Sequence, residues 1–358
     1  MVLRGNGYCP GHITGFFSIY DRPRNISKKG SRGAGINLSQ GAIAIAAFTP
    51  PNKGDDDDLY LELNLNGDDE FRINQKIYRE VLETLLPNKG RGWAVSLRVR
   101  LQLGVGRGFG MSGAGALATS MAVWDAFHSH IKVWDRKIRF GAEREEFFSK
   151  KDINKQMKDL YRTILDRRED EENIPVHYGD CIFAAHRADI LTMGGLGDVA
   201  AQARGGFEIR LSPGIPPNGD IHNLVMNVDR PQKIVFAFIG GPMSTDTVLS
   251  DRNIRDKINR SGKIALRNLL FSPSVDALMK ESRDFTEKSE LASEEVKRAM
   301  ERGDSIENTS MVMIGNSVFS VIDGEDIDRR AQELCDIWSE YGKVKSCDVD
   351  TFGARPIY

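Results

Sequence analysis

The stretch GVGRGFGMSGAGALATSMAV, Gly104 to Val123, constrains the fold more than any other part of the chain. It places glycine at 104, 106, 108, 110, 113 and 115, before and inside an apolar helical pattern. Glycine in a helix interior costs about 1 kcal/mol relative to alanine, so such a run needs a reason. In front of it, WAVSLRVRLQL alternates as a strand does. Behind Ser112, the residues Ala114, Leu117, Ala118, Met121 and Ala122 fall at helical spacing and form one apolar stripe. The local order is strand, glycine loop, helix.

Two readings fit that order. A helix N-terminus leaves backbone N–H groups unpaired and carries about half a positive charge. Glycines before it let the backbone approach an anion, which makes a phosphate cradle whose Ser112 hydroxyl can touch a phosphate oxygen or a bound Mg²⁺. The other reading is a tight strand-to-helix turn with small residues for close packing. No GK[ST] follows, so this is not a Walker A loop, and it lacks the dinucleotide spacing.

The 358 residues carry 49 basic and 51 acidic side chains, a formal net charge of −2. That length suggests two domains, or one large domain with insertions. The near-neutral balance gives no global attraction to nucleic acid or to an anionic membrane, and neither is expected as a partner. Cys9, Cys181, Cys335 and Cys347 form no CxxC pair and suit buried thiols in a reducing compartment. No apolar run approaches the roughly 18 residues of a membrane span, and MVLRGNGYCPGH has no signal-like apolar region. A soluble, cytoplasmic protein is expected.

Along the chain, GAIAIAAF and LYLELNL are predicted strands joined by the polar turn TPPNKGDDDD, with Asp55 to Asp58 a solvated loop tip. INQKIYREVLETLL has helical spacing. From about 132 to 180 the composition turns strongly charged, as an insertion of surface helices would. GDCIFAAHRADIL resumes an amphipathic helix, and GGLGDVAAQARGGFEIRLSPG is a glycine-punctuated loop entering a strand. NLVMNVDRPQKIVFAFIGGPM brings a strand of a second domain, so the boundary falls near Val225, between domains 1–225 and 226–358. DIDRRAQELCDIWSEYG is a late helix with Gly342 as C-cap. His128 and His130, two residues apart, do not share a helix face and argue against zinc.

Three stretches together carry a family resemblance. They are CPGHITGFFSIY with GSRGAGINLSQGAI, GRGFGMSGAGAL, and MVMIGNSVFSVID. In this combination the chain resembles the GHMP kinase superfamily, and within it the archaeal pantoate kinases, which GGLGDVAAQARGGFEIRLSPG and GGPMSTDTVLSD also resemble. The resemblance implies an α+β fold of two domains, the first ribosomal-protein-like and the second ferredoxin-like. It implies an ATP-phosphate loop at Gly106, Gly108, Phe109, Gly110, Met111, Ser112, Gly113 and Ala114. Asp198 matches the family's catalytic aspartate; the alternative is a turn residue capping the helix after it. Asp189 sits where the family places an acidic Mg²⁺ ligand, with Ser112 as a second one; the alternative for Asp189 is a solvated helix face. His12 stands where many members carry lysine, and is either a substrate contact or structural. Ser244 and Thr245 follow a strand and are either substrate contacts or a helix N-cap. Gly315, Asn316 and Ser317 form the turn of the last motif, close to the phosphate loop.

A small-molecule kinase is therefore expected, ahead of a silent metabolite sensor or an ATP-dependent decarboxylase of the same fold. Its partners would be ATP and a small branched hydroxy acid, with self-association into a homodimer left open. The acceptor expectation rests on DRPRNISKKGSRGAG, where Arg22, Arg24, Lys28, Lys29 and Arg32 cluster beside the family's substrate-side motif. Pantoate kinases generally have a shorter, less basic link, and a threonine where this chain has Gly194 or Gly195. Clustered Arg and Lys suit a substrate bearing phosphate besides its carboxylate, whereas a pantoate pocket needs one cation, which Arg32 could supply. The plain alternative is a solvated basic loop. The expectation is mevalonate 3-phosphate 5-kinase, of an archaeal isoprenoid pathway, with pantoate kinase of coenzyme A synthesis as the alternative.

Overall fold

A computed structural model of the chain describes residues 2–51, 58–66, 74–128, 176–192, 194–224 and 232–357. Asp55 to Asp57, His130, most of the charged insertion and the boundary near Val225 lie outside the described residues.

Two long strands organise the first sheet. β1 (Leu3–Tyr20) and β2 (Gly30–Thr49) pair antiparallel from Leu3↔Phe48 to Tyr20↔Gly30, with irregularities at Pro10/Gly11 and Thr14/Phe16. Extra residues at such points bend a ribbon and re-aim its side chains. On its other edge β2 pairs with β4 (Ala94–Leu101) over one half and β5 (Phe207–Ser212) over the other. β3 (Tyr60–Asn66) pairs parallel to β4, and β6 (Asp220–Asn223) pairs with β5. The strands expected from GAIAIAAF and LYLELNL both exist, but they are not neighbours: β4 lies between them. A parallel β3–β4 pair needs a crossover, and α1 (Lys76–Leu85) supplies it.

The glycine stretch delivers the central helix α2 (Met111–His128). Instead of one apolar stripe, almost its whole circumference from Met111 to Ala126 is buried. The sheet covers one side, and α1 with α3 (Tyr178–Leu191) covers the rest: the Cys181 thiol donates to the Ser120 carbonyl at 3.3 Å. Helix and sheet touch backbone to backbone, because a Cβ on Gly7 would stand 2.0 Å from the Ala118 carbonyl oxygen. A short helix α4 (Asp198–Arg204) leads into β5.

The second sheet has the order β10-β7-β9-β8, from β7 (Gln232–Phe238), β8 (Thr309–Met311), β9 (Ser317–Asp323) and β10 (Lys343–Cys347). A short helix α5 (Thr245–Ser250) follows β7, then α6 (Arg252–Phe271) and α7 (Val275–Ser289), both of which pack against β1. α8 (Glu294–Gly303) and α9 (Ile327–Ser339) back the second sheet, where the buried Trp338 indole donates to the Ala299 carbonyl at 2.8 Å. The C-cap of α9 is Glu340 rather than Gly342, whose amide closes the turn onto Trp338. The last strand, β11 (Arg355–Pro356), returns to β1. All four cysteines are free, and three of them are buried. Among the described residues no helix is long and apolar enough to cross a membrane.

Because the Gly7 site has no room for a methyl group, Gly7→Ala is expected to lower unfolding stability by about 1–3 kcal/mol in denaturant melts. An unchanged midpoint would contradict so close a sheet–helix contact.

Candidate active site

Loop residues 102–110 turn between β4 and α2, with φ of +72° at Gly106, +86° at Gly108 and +60° at Gly110. Glycine takes such angles without steric cost. The loop's carbonyls are held by the protein. Gly106 accepts from the Met243 amide at 2.7 Å, Phe109 from the His12 amide at 3.0 Å, and Gly110 from the Gln202 side chain at 2.9 Å. The Arg107 carbonyl accepts from the Ser317 hydroxyl at 3.2 Å, and its guanidinium donates to the Gly240 carbonyl. The Phe109 ring is buried against Phe236 and Phe238 on β7, its centroid 4.9 and 5.3 Å from theirs. By contrast, the amides of Gly106, Gly108, Phe109 and Gly110 find no acceptor among the described residues. Carbonyls anchored and amides unengaged, in front of a helix N-terminus, is the arrangement an anion cradle requires.

Asp198 is the first residue of α4, just beyond this cradle. Gly197 occupies the N-cap position, and the Asp198 carboxylate is turned instead to His12, Oδ1 lying 2.8 Å from Nδ1. The other ring nitrogen of His12, Nε2, lies 3.0 Å from Glu208 Oε1, and Glu208 in turn pairs with Arg210. His12, Glu208 and Arg210 are buried, while Asp198 keeps about a fifth of its side chain exposed, at 20 %. Burial alone would lower the pKa of His12, but its hydrogen bonds to Asp198 and Glu208 outweigh that and raise it above the ordinary histidine value.

Asp189, near the end of α3, is buried with neither carboxylate oxygen hydrogen-bonded. Burial first, and then the charge of Asp198, push its pKa well above the usual carboxylate range; the neighbouring Ser112 hydroxyl offsets part of this. A buried, unpartnered carboxylate is costly, which makes this one a ready cation ligand. Ser112 opens the first turn of α2 beside it. Backbone closes over both acids without side chains: a Cβ on Gly194 would lie 2.0 Å from Asp189 Oδ1, and one on Gly195 would lie 2.0 Å from Asp198 Oδ2. A threonine at either position requires one of these carboxylates to move. Gly113 Cβ would come within 3.7 Å of Asp189, and a Cβ on Gly110 within 2.9 Å of Asp198. Loop, Asp189 and Asp198 therefore form one contiguous site, with Met111 and Ala114 buried beneath it.

The basic link is anchored by its backbone. Its Ile26–Lys28 turn and Lys29 present carbonyls to the buried His186 of α3, at 3.2 and 3.1 Å, and Ser27 accepts from the Ile215 amide at 3.0 Å. Arg22, Arg24 and Lys28 are exposed and Lys29 is half-buried. Arg32 is half-buried, with Nη1 3.5 Å from the Tyr20 hydroxyl and a buried, unpartnered Nε. Gly315 and Ser317 do lie against the loop at 102–110, while Ser244 takes the N-cap position of α5 without a side-chain capping bond. His128 accepts no such role: its ring bonds the Trp124 carbonyl at 2.7 Å, and among the described residues no three His, Cys, Asp or Glu side chains could jointly hold a metal. Sequence reasoning missed Glu208, Arg210 and Gln202. The signal for the first two was opposite charge two apart on one face of the strand FEIRLS, where alternation alone suggests solvent.

No family profile matches the chain. A pantoate kinase of Thermococcus kodakarensis is 28% identical over 341 residues, covering 94% of this chain and 93% of its own. One from Methanospirillum hungatei is 28% identical over 325 residues, covering 89% and 88%. A solved structure described as a phosphotransferase related to the CoA biosynthesis pathway superposes with a TM-score of 0.73 at 25% identity, over 100% of this chain and 99% of its own. A homoserine kinase from Cytophaga hutchinsonii, at 13% identity and a TM-score of 0.59 over 99% and 97% of the two chains, shares the fold. Along nearly its whole length the chain is therefore similar to kinases of the GHMP type. The sequence relatives it resembles are pantoate kinases.

Crowding at Gly195 makes Gly195→Ala a direct probe of Asp198. Displacing that carboxylate is expected to lower kcat by about 10–10²-fold while the circular dichroism spectrum stays unchanged. Turnover equal to that of the unaltered protein would remove the constraint from the site.

Proposed function

We propose that the chain is an ATP-dependent kinase that phosphorylates the terminal primary hydroxyl of a small branched hydroxy acid, with pantoate as the acceptor. One observation carries this reading: the Asp198 carboxylate, steadied through Oδ1 by His12, stands beside an amide-lined loop at a helix N-terminus. The loop amides and the α2 N-terminus would hold the ATP phosphates and neutralise charge on the transferred group. Asp198 would orient the acceptor hydroxyl and take its proton as the new O–P bond forms. The bond between the γ-phosphorus and the β,γ-bridging oxygen breaks, and ADP leaves with both electrons of that bond. Asp189 and Ser112 suit Mg²⁺, since a buried carboxylate with two free oxygens and a hydroxyl form a hard donor set. When bound, the ion would neutralise phosphate charge. The names of the sequence relatives favour pantoate over other acceptors.

A second acceptor, mevalonate 3-phosphate, is favoured by the basic link. His186 and the segment at 214–218 hold that link at the mouth of β2, two residues before Ser31, whose Oγ would lie 2.2 Å from a Cβ on Gly197. Its exposed cations would suit a phosphate-bearing substrate. ADP release measured across pantoate, mevalonate 3-phosphate, mevalonate and homoserine decides between them. Pantoate is expected to give the highest kcat/KM; turnover confined to mevalonate 3-phosphate would reverse the assignment.

Asp198→Asn is expected to cut kcat by roughly 10²–10⁴ with ATP affinity retained, as for loss of a positioned proton acceptor. Asp189→Asn removes a buried, unpartnered carboxyl group. It is expected to raise the melting temperature of the metal-free protein while raising the Mg²⁺ concentration for half-maximal activity about tenfold or more. An unchanged Mg²⁺ requirement would take Asp189 out of the metal site.

A further inference from the structure

The ring of His12 is fully enclosed and faces a carboxylate oxygen at each nitrogen, Asp198 Oδ1 at 2.8 Å and Glu208 Oε1 at 3.0 Å. A neutral imidazole has one N–H and would leave one of these contacts as two opposed lone pairs. Two carboxylates at bonding distance are matched by the imidazolium, which donates from both nitrogens. Glu208 is as buried as His12 and accepts on the same Oε1 from Arg210. The charges therefore alternate along one line, from Asp198 through His12 and Glu208 to Arg210, crossing α4, β1 and β5. Only the Asp198 end of that line reaches the surface of the site.

We propose that Glu208, fixed by Arg210, is a positioning residue for phosphoryl transfer: it keeps His12 doubly protonated, and His12 thereby holds Asp198 as an oriented carboxylate with Oδ2 left for the acceptor hydroxyl. Glu208 touches neither nucleotide nor acceptor in this arrangement and acts through His12 alone. This rests on the kinase reading above. The other ionisable groups around the line are Asp189 of α3, coupled to Asp198, and Cys9 of β1, whose thiol burial pushes well above its ordinary pKa. Neither replaces Glu208 at Nε2 of His12, where Thr14 offers only a hydroxyl 3.4 Å from the opposite nitrogen.

The test pairs a spectroscopic readout with kinetics on the full chain. Side-chain ¹⁵N signals of His12, assigned by their loss in His12→Gln, are expected to be those of an imidazolium in the unaltered protein at neutral pH and above. Glu208→Gln keeps an acceptor oxygen for both neighbours but removes the charge. In that variant His12 is expected to lose its proton at lower pH, and the alkaline limb of kcat should move in the same direction. At neutral pH kcat should fall about 10–10²-fold, with KM for ATP and acceptor within about twofold. A neutral His12 ring in the unaltered protein overturns the proposal whether or not the variant folds. So does a variant whose kcat falls equally at all pH with the limb unmoved, or one that behaves as the unaltered protein. Imidazolium signals that shift as described, with no acceptor phosphorylated, uphold the charge line and overturn the kinase reading instead.

Discussion

Everything at the site follows from how closely helix α2 lies on the first sheet. The approach is set by missing side chains, with β1 presenting Gly7 to the backbone of α2 at Ala118. With the helix axis fixed by α1, α3 and the sheet together, its N-terminus cannot drift, and the loop in front of it must close a set distance. Three left-handed glycines close it. The ring of Phe109 then anchors the loop to the second sheet through Phe236 and Phe238. Rigid packing in the interior thus becomes a fixed array of backbone donors at the surface, and such preorganisation is what electrostatic catalysis depends on.

The same economy of side chains explains how two acids share so small a volume. Gly194 lies over Asp189, and Gly195 lies over Asp198. The two carboxylates are treated differently. Asp198 has a hydrogen-bonded partner in His12 and keeps partial exposure, whereas Asp189 is enclosed with no hydrogen bond to either oxygen. Environment therefore separates an acid suited to holding a proton acceptor's role from one suited to binding a cation, although the residues are chemically identical. Asp189 also shares α3 with His186, which grips the basic link, so one helix supports both the buried carboxylate and that link.

Much of this was legible in the sequence, and the limits have physical causes. The strand, loop and helix around Gly104 to Val123 were readable because glycine and apolar period are local signals. The motif around Asp198 singled that residue out, and the structure places it beside the loop and His12. The burial of α2 on every side was not readable, since a single stripe says nothing of the helices that pack behind it. The separation of β2 from β3 by β4 was hidden for a similar reason: strand order is a long-range property that turn residues do not record. His12 was visible as a residue, but its partners Asp198 and Glu208 lie 186 and 196 positions away. A charged pair inside a strand pattern suggests solvent until the partner that neutralises it is known.

In the proposed reaction this site moves the γ-phosphoryl group of ATP onto a hydroxyl held by Asp198. Phosphorus NMR of the protein with ATP, Mg²⁺ and pantoate tests it most directly. A growing phosphomonoester resonance, matched by ADP and absent with Asp198→Asn, is the expected result. Formation of ADP with inorganic phosphate alone, and no phosphomonoester from pantoate or mevalonate 3-phosphate, would contradict it.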